Sequence, residues 1–338
     1  MLTLVRIELS KLYRRRGTYV SFACLAALVL LVAVPISCYK EKVDDSLRQE
    51  LSSGMGDDWV VGGKVLAGPF VPRVMLFWPM RKLVVNILLA LFAAMAGGSA
   101  IAGEYSAGTL RTILTRPPAR WKVFVAKFAV MGIYAASLAV FFGLFAFAVG
   151  YALFGRGALV FADMPADMGS GPPPMGAPII QEGAAVQMLA QAYLLMGASV
   201  IAAMSLALFL SSFTSHPLTA AGAALGILLL STILGTLGSA PEEIEFLAFF
   251  RTIRPYLLTT HMNLYEIPLA GGLDQAGRVA LTSSASWLAG YCAAFFGAGG
   301  AFDAVRLLDT DGRVYQGAEA IWRSLALSPR RGGAIGLW

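Results

Sequence analysis

The connector Gly103–Phe128 concentrates the residue types of this chain that are best suited to binding another surface. It holds five basic residues and a single acid, Glu104, between two long apolar runs. Within it, Leu110, Ile113 and Leu114 recur at helical spacing, which predicts a short helix with one apolar stripe. The polar residues off that stripe are Arg111, Thr112, Thr115 and Arg116. This pattern indicates docking rather than catalysis.

Two prolines mark the end of the predicted helix. Pro117 and Pro118 stop it sharply, and either Ser106 or Thr109 could cap its start. A helix of about two turns is not stable alone in water. We therefore expect it to pack against a surface, which is either the lipid or a groove on a cytoplasmic partner.

Catalytic chemistry has little support in the sequence. The three cysteines are scattered, no Cys-x-x-Cys pair occurs, and there are only two histidines, so we expect no metal site. The phosphate-binding pattern G-x-x-x-x-G-K-[ST] is missing. We therefore expect no catalytic residue, no bound cofactor and no enzymatic activity in this chain. The net charge of +6 is interpreted as orienting membrane helices rather than binding nucleic acid.

The composition is that of a polytopic membrane protein. Hydrophobic residues make up 57% and charged residues 14% of the 338 residues, against about 25% charged in ordinary globular domains. Runs of about 20 apolar residues are long enough to cross a bilayer. The predicted spans are Tyr19–Ser37, Leu83–Gly103, Val123–Phe154, Ala185–Phe213, Pro217–Leu237 and Ala280–Ala304. At about 1.5 Å per residue, the third span is longer than the bilayer core is thick, so this helix must tilt or project from the membrane.

The distribution of charge predicts the orientation of these spans. Five basic residues of the N-terminal segment stand against one acid, and the connector has the same balance. The later loops on the other side carry more acids. The positive-inside rule therefore places both termini and the connector in the cytoplasm. Arg81 and Lys82 do not agree with this assignment, because they are basic and lie beside the long first outer loop. Long loops, however, have little weight in the rule.

The N-terminal segment has the pattern of a basic amphipathic helix lying at the membrane surface. Its apolar face holds Leu2, Val5, Leu9, Leu12 and Tyr13. Its charged residues are Arg6, Glu8, Lys11, Arg14, Arg15 and Arg16. The alternative is a frayed charged leader. We expect the first span to stay uncleaved, because its apolar run is longer than a signal core of 7–15 residues.

The membrane spans themselves contain almost no ionisable group. A proton- or sodium-driven carrier usually keeps such a group at mid-membrane, so a carrier or channel working alone is disfavoured. The pair Gly222 and Gly226 would allow close helix contact, and we expect it to serve packing within the chain rather than a dimer seam. The segment Pro241–Gly272 is too interrupted to span and predicts short outer-interface or re-entrant helices that cap the bundle. The first outer loop is long enough to form a small outer subdomain.

The connector also carries a family resemblance. Ile101-Ala-Gly-Glu104, Gly108-Thr-Leu110, Leu114-Thr-Arg-Pro117, Arg120 and Lys127 follow one another after the second span. This order resembles that of the permease subunits of bacterial ABC-2-type ABC exporters. The N-terminal RIELSKLYRRRGTYV is similar to the interfacial elbow helix that opens these proteins.

The resemblance implies an all-α fold with six transmembrane helices and both termini inside. The expected parts are a cytoplasmic elbow helix at 1–16, a transmembrane domain at 17–305 and a cytoplasmic tail at 306–338. Outer loops are expected at about 39–80, 155–184 and 239–279, and a cytoplasmic coupling loop at 104–122. In this arrangement Glu104 pairs with a basic group near the membrane surface, or only ends the second span at the headgroups.

The resemblance also implies partners. A dimer of ABC ATPase subunits would bind ATP and Mg, a second permease subunit would complete a homo- or heterodimer, and the complex would lie in the bacterial cytoplasmic (inner) membrane. The implied ATPase-coupling residues are Glu104, Gly108, Thr109, Leu110, Arg111, Ile113, Leu114, Arg116, Pro117 and Arg120. The turn Thr214–Pro217 would be a second, smaller cytoplasmic contact.

Two functions follow from this resemblance. The first is ATP-driven export of a substrate through the membrane. The second is a membrane component that transmits ATPase-driven movement to an extracytoplasmic partner without net transport, which the long first outer loop favours.

Overall fold

The computed structural model describes residues 2–42, 44–45, 66–76, 87–106, 120–157, 159–160, 179–239, 248–269, 275–302, 306–308, 314–316 and 336–337. These residues are predominantly helical, which confirms the all-α class. The helices are α1 (Leu2–Arg14), α2 (Arg16–Cys38), α3 (Phe70–Leu76), α4 (Ala90–Ser106), α5 (Arg120–Phe154), α6 (Glu182–Ser211), α7 (Pro217–Leu237), α8 (Ala248–Ile253), α9 (Leu258–His261), α10 (Glu266–Leu269) and α11 (Gln275–Phe302).

Six of these helices are long and apolar enough to cross a membrane, namely α2, α4, α5, α6, α7 and α11. They coincide with the six predicted spans to within a few residues at the ends that the structure describes. The third span is one continuous helix of 35 residues, which extends about 52 Å at 1.5 Å per residue. It is therefore longer than the hydrocarbon core of a bilayer, about 30 Å.

A few very short strands accompany the helices. Strand β1 (Leu159–Val160) pairs antiparallel with β2 (Ile179–Ile180). Strand β3 (Arg306–Leu308) pairs antiparallel with both β4 (Val314–Gln316) and β5 (Gly336–Leu337). Sequence analysis did not predict these pairings, which involve only two or three residues a strand.

Helix α6 is the centre of the bundle. The buried share of its apolar stretch is 67%, against 22% for the apolar stretch of α2 and 6% for that of α11. It packs against α4, α5, α7 and α11. The sequence of α6 is apolar on all sides, which is the pattern of a helix surrounded by other helices. The other spans expose large apolar side chains such as Leu31, Leu144 and Leu218 on their outer faces.

Two glycines of α4 allow the closest helix contacts with α6 and α7. A Cβ atom on Gly97 would lie 2.9 Å from the carbonyl oxygen of Met204, and one on Gly98 would lie 2.9 Å from the amide nitrogen of Ala221. The expectation for Gly222 and Gly226 is wrong within this chain. Both are exposed, and a Cβ on either would meet no atom of the described residues within 4 Å.

Two non-spanning segments pack into the bundle. Residues 66–76 are almost entirely buried; Gly68 donates a backbone hydrogen bond to Gly155 O at 2.8 Å, and Tyr193 of α6 donates its hydroxyl to Pro72 O at 2.9 Å. This part of the predicted first outer loop is thus packed against the spans. The predicted small outer subdomain falls mostly on residues outside those described.

The second such segment is residues 248–269, which form the predicted series of short helices. They reach into the bundle, as the re-entrant alternative predicts. The hydroxyl of Ser199, near the middle of α6, donates to Met262 O. Ser231 of α7 lies 2.7 Å from the hydroxyl of Thr259, and the His261 ring stacks on Trp287 of α11 with centroids 5.4 Å apart.

The glycine contacts give the first testable prediction. We expect Gly98→Ala to destabilise the purified protein by about 1–3 kcal/mol, because the added methyl group collides with backbone atoms that cannot move aside independently. Gly222→Ala is the matched control: it fills open space and gains helix propensity, worth up to about 1 kcal/mol. Thermal unfolding in detergent measures both. Equal behaviour of the two variants would show that α4 does not pack this closely.

Candidate functional site

Most of the predicted coupling residues lie outside the part of the chain that the structure describes. Residues 107–119 are not among the described residues, so Gly108, Thr109, Leu110, Arg111, Ile113, Leu114, Arg116 and Pro117 have no structural test. Arg120 is the first residue of α5. The structure does place both ends of the connector, through Glu104 in the last turn of α4 and Lys127 in the second turn of α5.

Four charged side chains meet at these two ends. The Lys127 Nζ lies 2.8 Å from Glu104 Oε2 and 3.5 Å from Glu8 Oε2. The Lys11 Nζ lies 2.8 Å from Glu8 Oε1 and 3.6 Å from Glu104 Oε1. Each carboxylate thus faces both ammonium groups, and the two positive and two negative charges balance. We call these four residues the junction cluster.

The junction cluster joins three helices. Glu8 and Lys11 belong to α1, Glu104 to α4 and Lys127 to α5. The expectation that Glu104 pairs with a basic group is therefore confirmed. Its partners come from outside the predicted coupling set: Lys11 is one of the N-terminal helix residues, and Lys127 was noted in the motif without a role.

The four members differ strongly in burial, and this decides their energetic weight. The side chain of Lys127 is 4% exposed and that of Glu104 is 10% exposed, whereas that of Lys11 is 44% exposed. Removing one partner of a buried ion pair leaves an uncompensated charge and costs about 3–5 kcal/mol. Exposed pairs contribute about 0–1 kcal/mol. Lys127 is therefore the member on which the cluster most depends.

Mutual attraction within the cluster shifts two pKa values. Burial raises the pKa of Glu8, but the attraction of Lys127 and Lys11 outweighs it, so the pKa lies below its ordinary value of 4.5. Burial lowers the pKa of Lys11, and the hydrogen bond and charge of Glu8, with Glu104, outweigh that effect and raise it above 10.5. Both groups are therefore held in their charged forms at neutral pH.

Further polar contacts attach α4 to its neighbours at the same end. Lys127 also donates to the backbone oxygen of Ala100 at 2.9 Å, one turn before Glu104. Arg15, between α1 and α2, donates to Ser99 Oγ at 3.2 Å. The last turns of α4 are thus held by two cations that belong to other elements.

Ser211, the last residue of α6, makes a third attachment. Its hydroxyl donates to Gly98 O at 2.7 Å and accepts from the Ala102 amide at 2.9 Å. These two backbone groups pair with each other in a regular α-helix, so the hydroxyl inserts into the hydrogen-bond ladder of α4. The end of α6, and with it the turn before Pro217, therefore lies beside the start of the connector. Nothing in the sequence marks Ser211, because the contact is between distant segments.

The predicted residues of the N-terminal helix have different surroundings in the folded chain. α1 packs its apolar face on the bundle, where Leu12 is 5% exposed and Val5 and Leu9 contact the core. Glu8 and Lys11 join the junction cluster, and Arg15 contacts Ser99. The remaining arginines are Arg6, Arg14 and Arg16, which are exposed. An ordered helix here agrees with the amphipathic interpretation and not with a frayed leader.

The difference in burial predicts unequal effects of removing the two lysines. We expect Lys127→Met to destabilise the protein by about 3–5 kcal/mol, since two largely buried carboxylates are then left with only the more exposed Lys11 as a counter-charge. The matched change Lys11→Met should cost about 1 kcal/mol or less. Thermal unfolding in detergent compares them. If exchange of the charges in a Glu104→Lys, Lys127→Glu double variant restores no stability relative to either single variant, the pairing is not the stabilising interaction.

The low pKa of Glu8 predicts a loss of stability in acid. Its ionised form stabilises the fold above about pH 4.5, and this contribution disappears as the pH falls through the lower folded-state value. We expect the melting temperature of the wild type to fall more steeply below pH 4.5 than that of Glu8→Gln. Glu41→Gln, which changes an exposed acid outside the cluster, should behave like the wild type. If the melting temperatures of all three proteins fall in parallel as the pH is lowered, this result would contradict the lowered pKa of Glu8.

Comparison with known proteins agrees with this architecture. The family described as ABC-2 family transporter protein matches residues 2–245, which include α1, the whole junction cluster and the first five apolar helices. No curated protein gives a significant match. With six helices able to span a bilayer, the match shows a multi-pass membrane protein. More than two thirds of the sequence is covered, and the chain therefore belongs to the ABC-2 family of transporter proteins.

Proposed function

We propose that the chain is the permease subunit of an ATP-driven transporter that exports its substrate and draws its energy from a separate ATPase subunit. Family membership supports a membrane component that associates with an ATPase. The observation that carries the proposal further is the junction cluster, because it attaches both ends of the connector to a third helix through partly buried charges.

The connector is the proposed docking element. Only 13 residues, 107–119, separate α4 from α5, so a force applied to their apolar stripe acts directly on Glu104 and Lys127. The stripe is formed by Leu110, Ile113 and Leu114, and we infer that it fills a groove on the ATPase. The basic residues beside it then face the more polar rim of that groove.

The contacts of α4 and α5 give this force a route into the bundle. Helix α5 packs against α6, and α4 is held to α6 by Ser211. Movement of the connector therefore acts on the central helix as well as on α1. The turn Thr214–Pro217 ends beside Gly98 of α4, and we infer that it supplies the second, smaller contact with the ATPase.

In the proposed complex the N-terminal helix and the connector face the cytoplasm, in accordance with the excess of basic residues there. The transporter is a dimer of permease subunits in the bacterial inner membrane, with two ATPase subunits that bind ATP and Mg. The alternative, transmission of movement to an extracytoplasmic partner, depends on the first outer loop. Its residues 66–76 are packed inside the bundle, and this arrangement favours transport.

The docking role is tested by substituting the apolar stripe. We expect the triple variant Leu110→Asp, Ile113→Asp, Leu114→Asp to lose the ATPase subunit that co-purifies with the tagged wild type in mild detergent, because charged groups cannot fill an apolar groove. The control is Thr112→Asp with Thr115→Asp, which adds charge off the stripe and should keep the ATPase. Identification and stoichiometry by mass spectrometry give the readout.

Two results would contradict the proposal. The first is a wild-type preparation, purified from its native membrane, that contains no ATPase. The second is equal retention of an ATPase by the stripe variant and the control, which would place its docking site away from the connector.

A further inference from the structure

The five basic residues of the N-terminal segment are not equivalent in the folded protein. Lys11 is in the junction cluster, and Arg15 donates to Ser99. Arg6, Arg14 and Arg16 are exposed and take part in none of the ion pairs formed by the described residues. We call these three residues the arginine strip.

The strip is presented by a helix whose opposite face is fixed. Arg6 and Arg14 are eight residues apart on α1, with Ser10 halfway between them. Arg6, Ser10 and Arg14 therefore lie along one side of this helix. Arg16 follows as the first residue of α2. The other side of α1 packs on the bundle through Leu12 and holds Glu8 in the junction cluster. The guanidinium groups are thus displayed on a preformed surface.

Exposed apolar side chains accompany the strip. Ile7, next to Arg6, is 48% exposed, and Tyr19 and Val20, near the start of α2, are 59% and 55% exposed. The only acid of this segment, Glu8, is turned into the cluster. A surface of arginines with apolar and aromatic neighbours matches the boundary between lipid headgroups and acyl chains.

The place of the strip in the chain selects its partner. Arg16 begins a helix that is apolar throughout and able to cross the membrane, so the guanidinium groups at positions 14 and 16 lie where that helix enters the bilayer. An acidic protein groove would match the charge but would leave Tyr19 and Val20 without an apolar environment. Lipid phosphates next to acyl chains match both.

We propose that Arg6, Arg14 and Arg16 form a binding surface for the phosphate groups of anionic phospholipids. Guanidinium groups bind phosphate oxygens through paired hydrogen bonds. Because α1 also carries Glu8 and Lys11, lipid bound to the strip holds the helix that pairs with both ends of the connector. Anionic lipid therefore stabilises the junction cluster. The lipid contact itself does not depend on the proposed transport function.

The test uses the full chain in neutral detergent with fluorescent phosphatidylglycerol as the probe. We expect the triple variant Arg6→Gln, Arg14→Gln, Arg16→Gln to bind the probe at least tenfold more weakly than the wild type, since each basic residue near an anionic surface contributes about fivefold. The control is Arg156→Gln with Arg254→Gln. It removes two exposed arginines at the opposite end of the bundle and should stay within about twofold of the wild type.

A second readout separates binding from general damage. Phosphatidylglycerol should raise the melting temperature of the wild type and of the control, and phosphatidylcholine should not. The strip variant should match the wild type without lipid, because its substituted residues are exposed, and should lose the phosphatidylglycerol effect.

Three outcomes would overturn the proposal. Unchanged probe affinity in the strip variant would show that these arginines do not bind the lipid. An equal loss in strip variant and control would indicate unspecific charge attraction. Loss of a co-purifying acidic protein from the strip variant, with lipid affinity kept, would assign the surface to a protein partner.

Discussion

A single buried ammonium group organises one end of this molecule. The side chain of Lys127 is almost fully enclosed, and a charge removed from water has to be compensated by nearby carboxylates and carbonyl oxygens. Glu104, Glu8 and the backbone of Ala100 supply that compensation. Because they belong to different helices, the requirement fixes the relative position of α1, α4 and α5, and therefore of both connector ends.

The rest of the bundle is built around apolar contact with α6. Helix α4 approaches it through Gly97 and is clasped by Ser211, while residues 66–76 and 248–269 reach α6 from two other directions. Hydroxyl groups satisfy backbone carbonyls of the inserted segments, as buried polar groups require. The central helix thus contacts both α4 and α5, the two helices that the connector joins.

The part of the site that could be predicted from the sequence is the part encoded locally. Glu104 is conspicuous in the sequence because it is the only acid of a basic connector, at the end of an apolar run. The sequence marks Lys127 only as a motif position, because its role depends on a fold that brings Glu104, from the other end of the connector, and Glu8, from another helix, to the same ammonium group. Ser211 and the packing glycines were missed for the same reason: no spacing within one segment records which helices touch.

The sequence by itself determined the number, length and approximate ends of the apolar helices, and the amphipathic character of α1. These properties follow from runs and periodicities within single segments. Only the tertiary structure decided which charges pair and which arginines stay exposed. It also decided that Gly97 and Gly98, rather than Gly222 and Gly226, meet neighbouring helices. Such outcomes depend on distances between residues remote in the chain, which side-chain packing sets and local sequence does not.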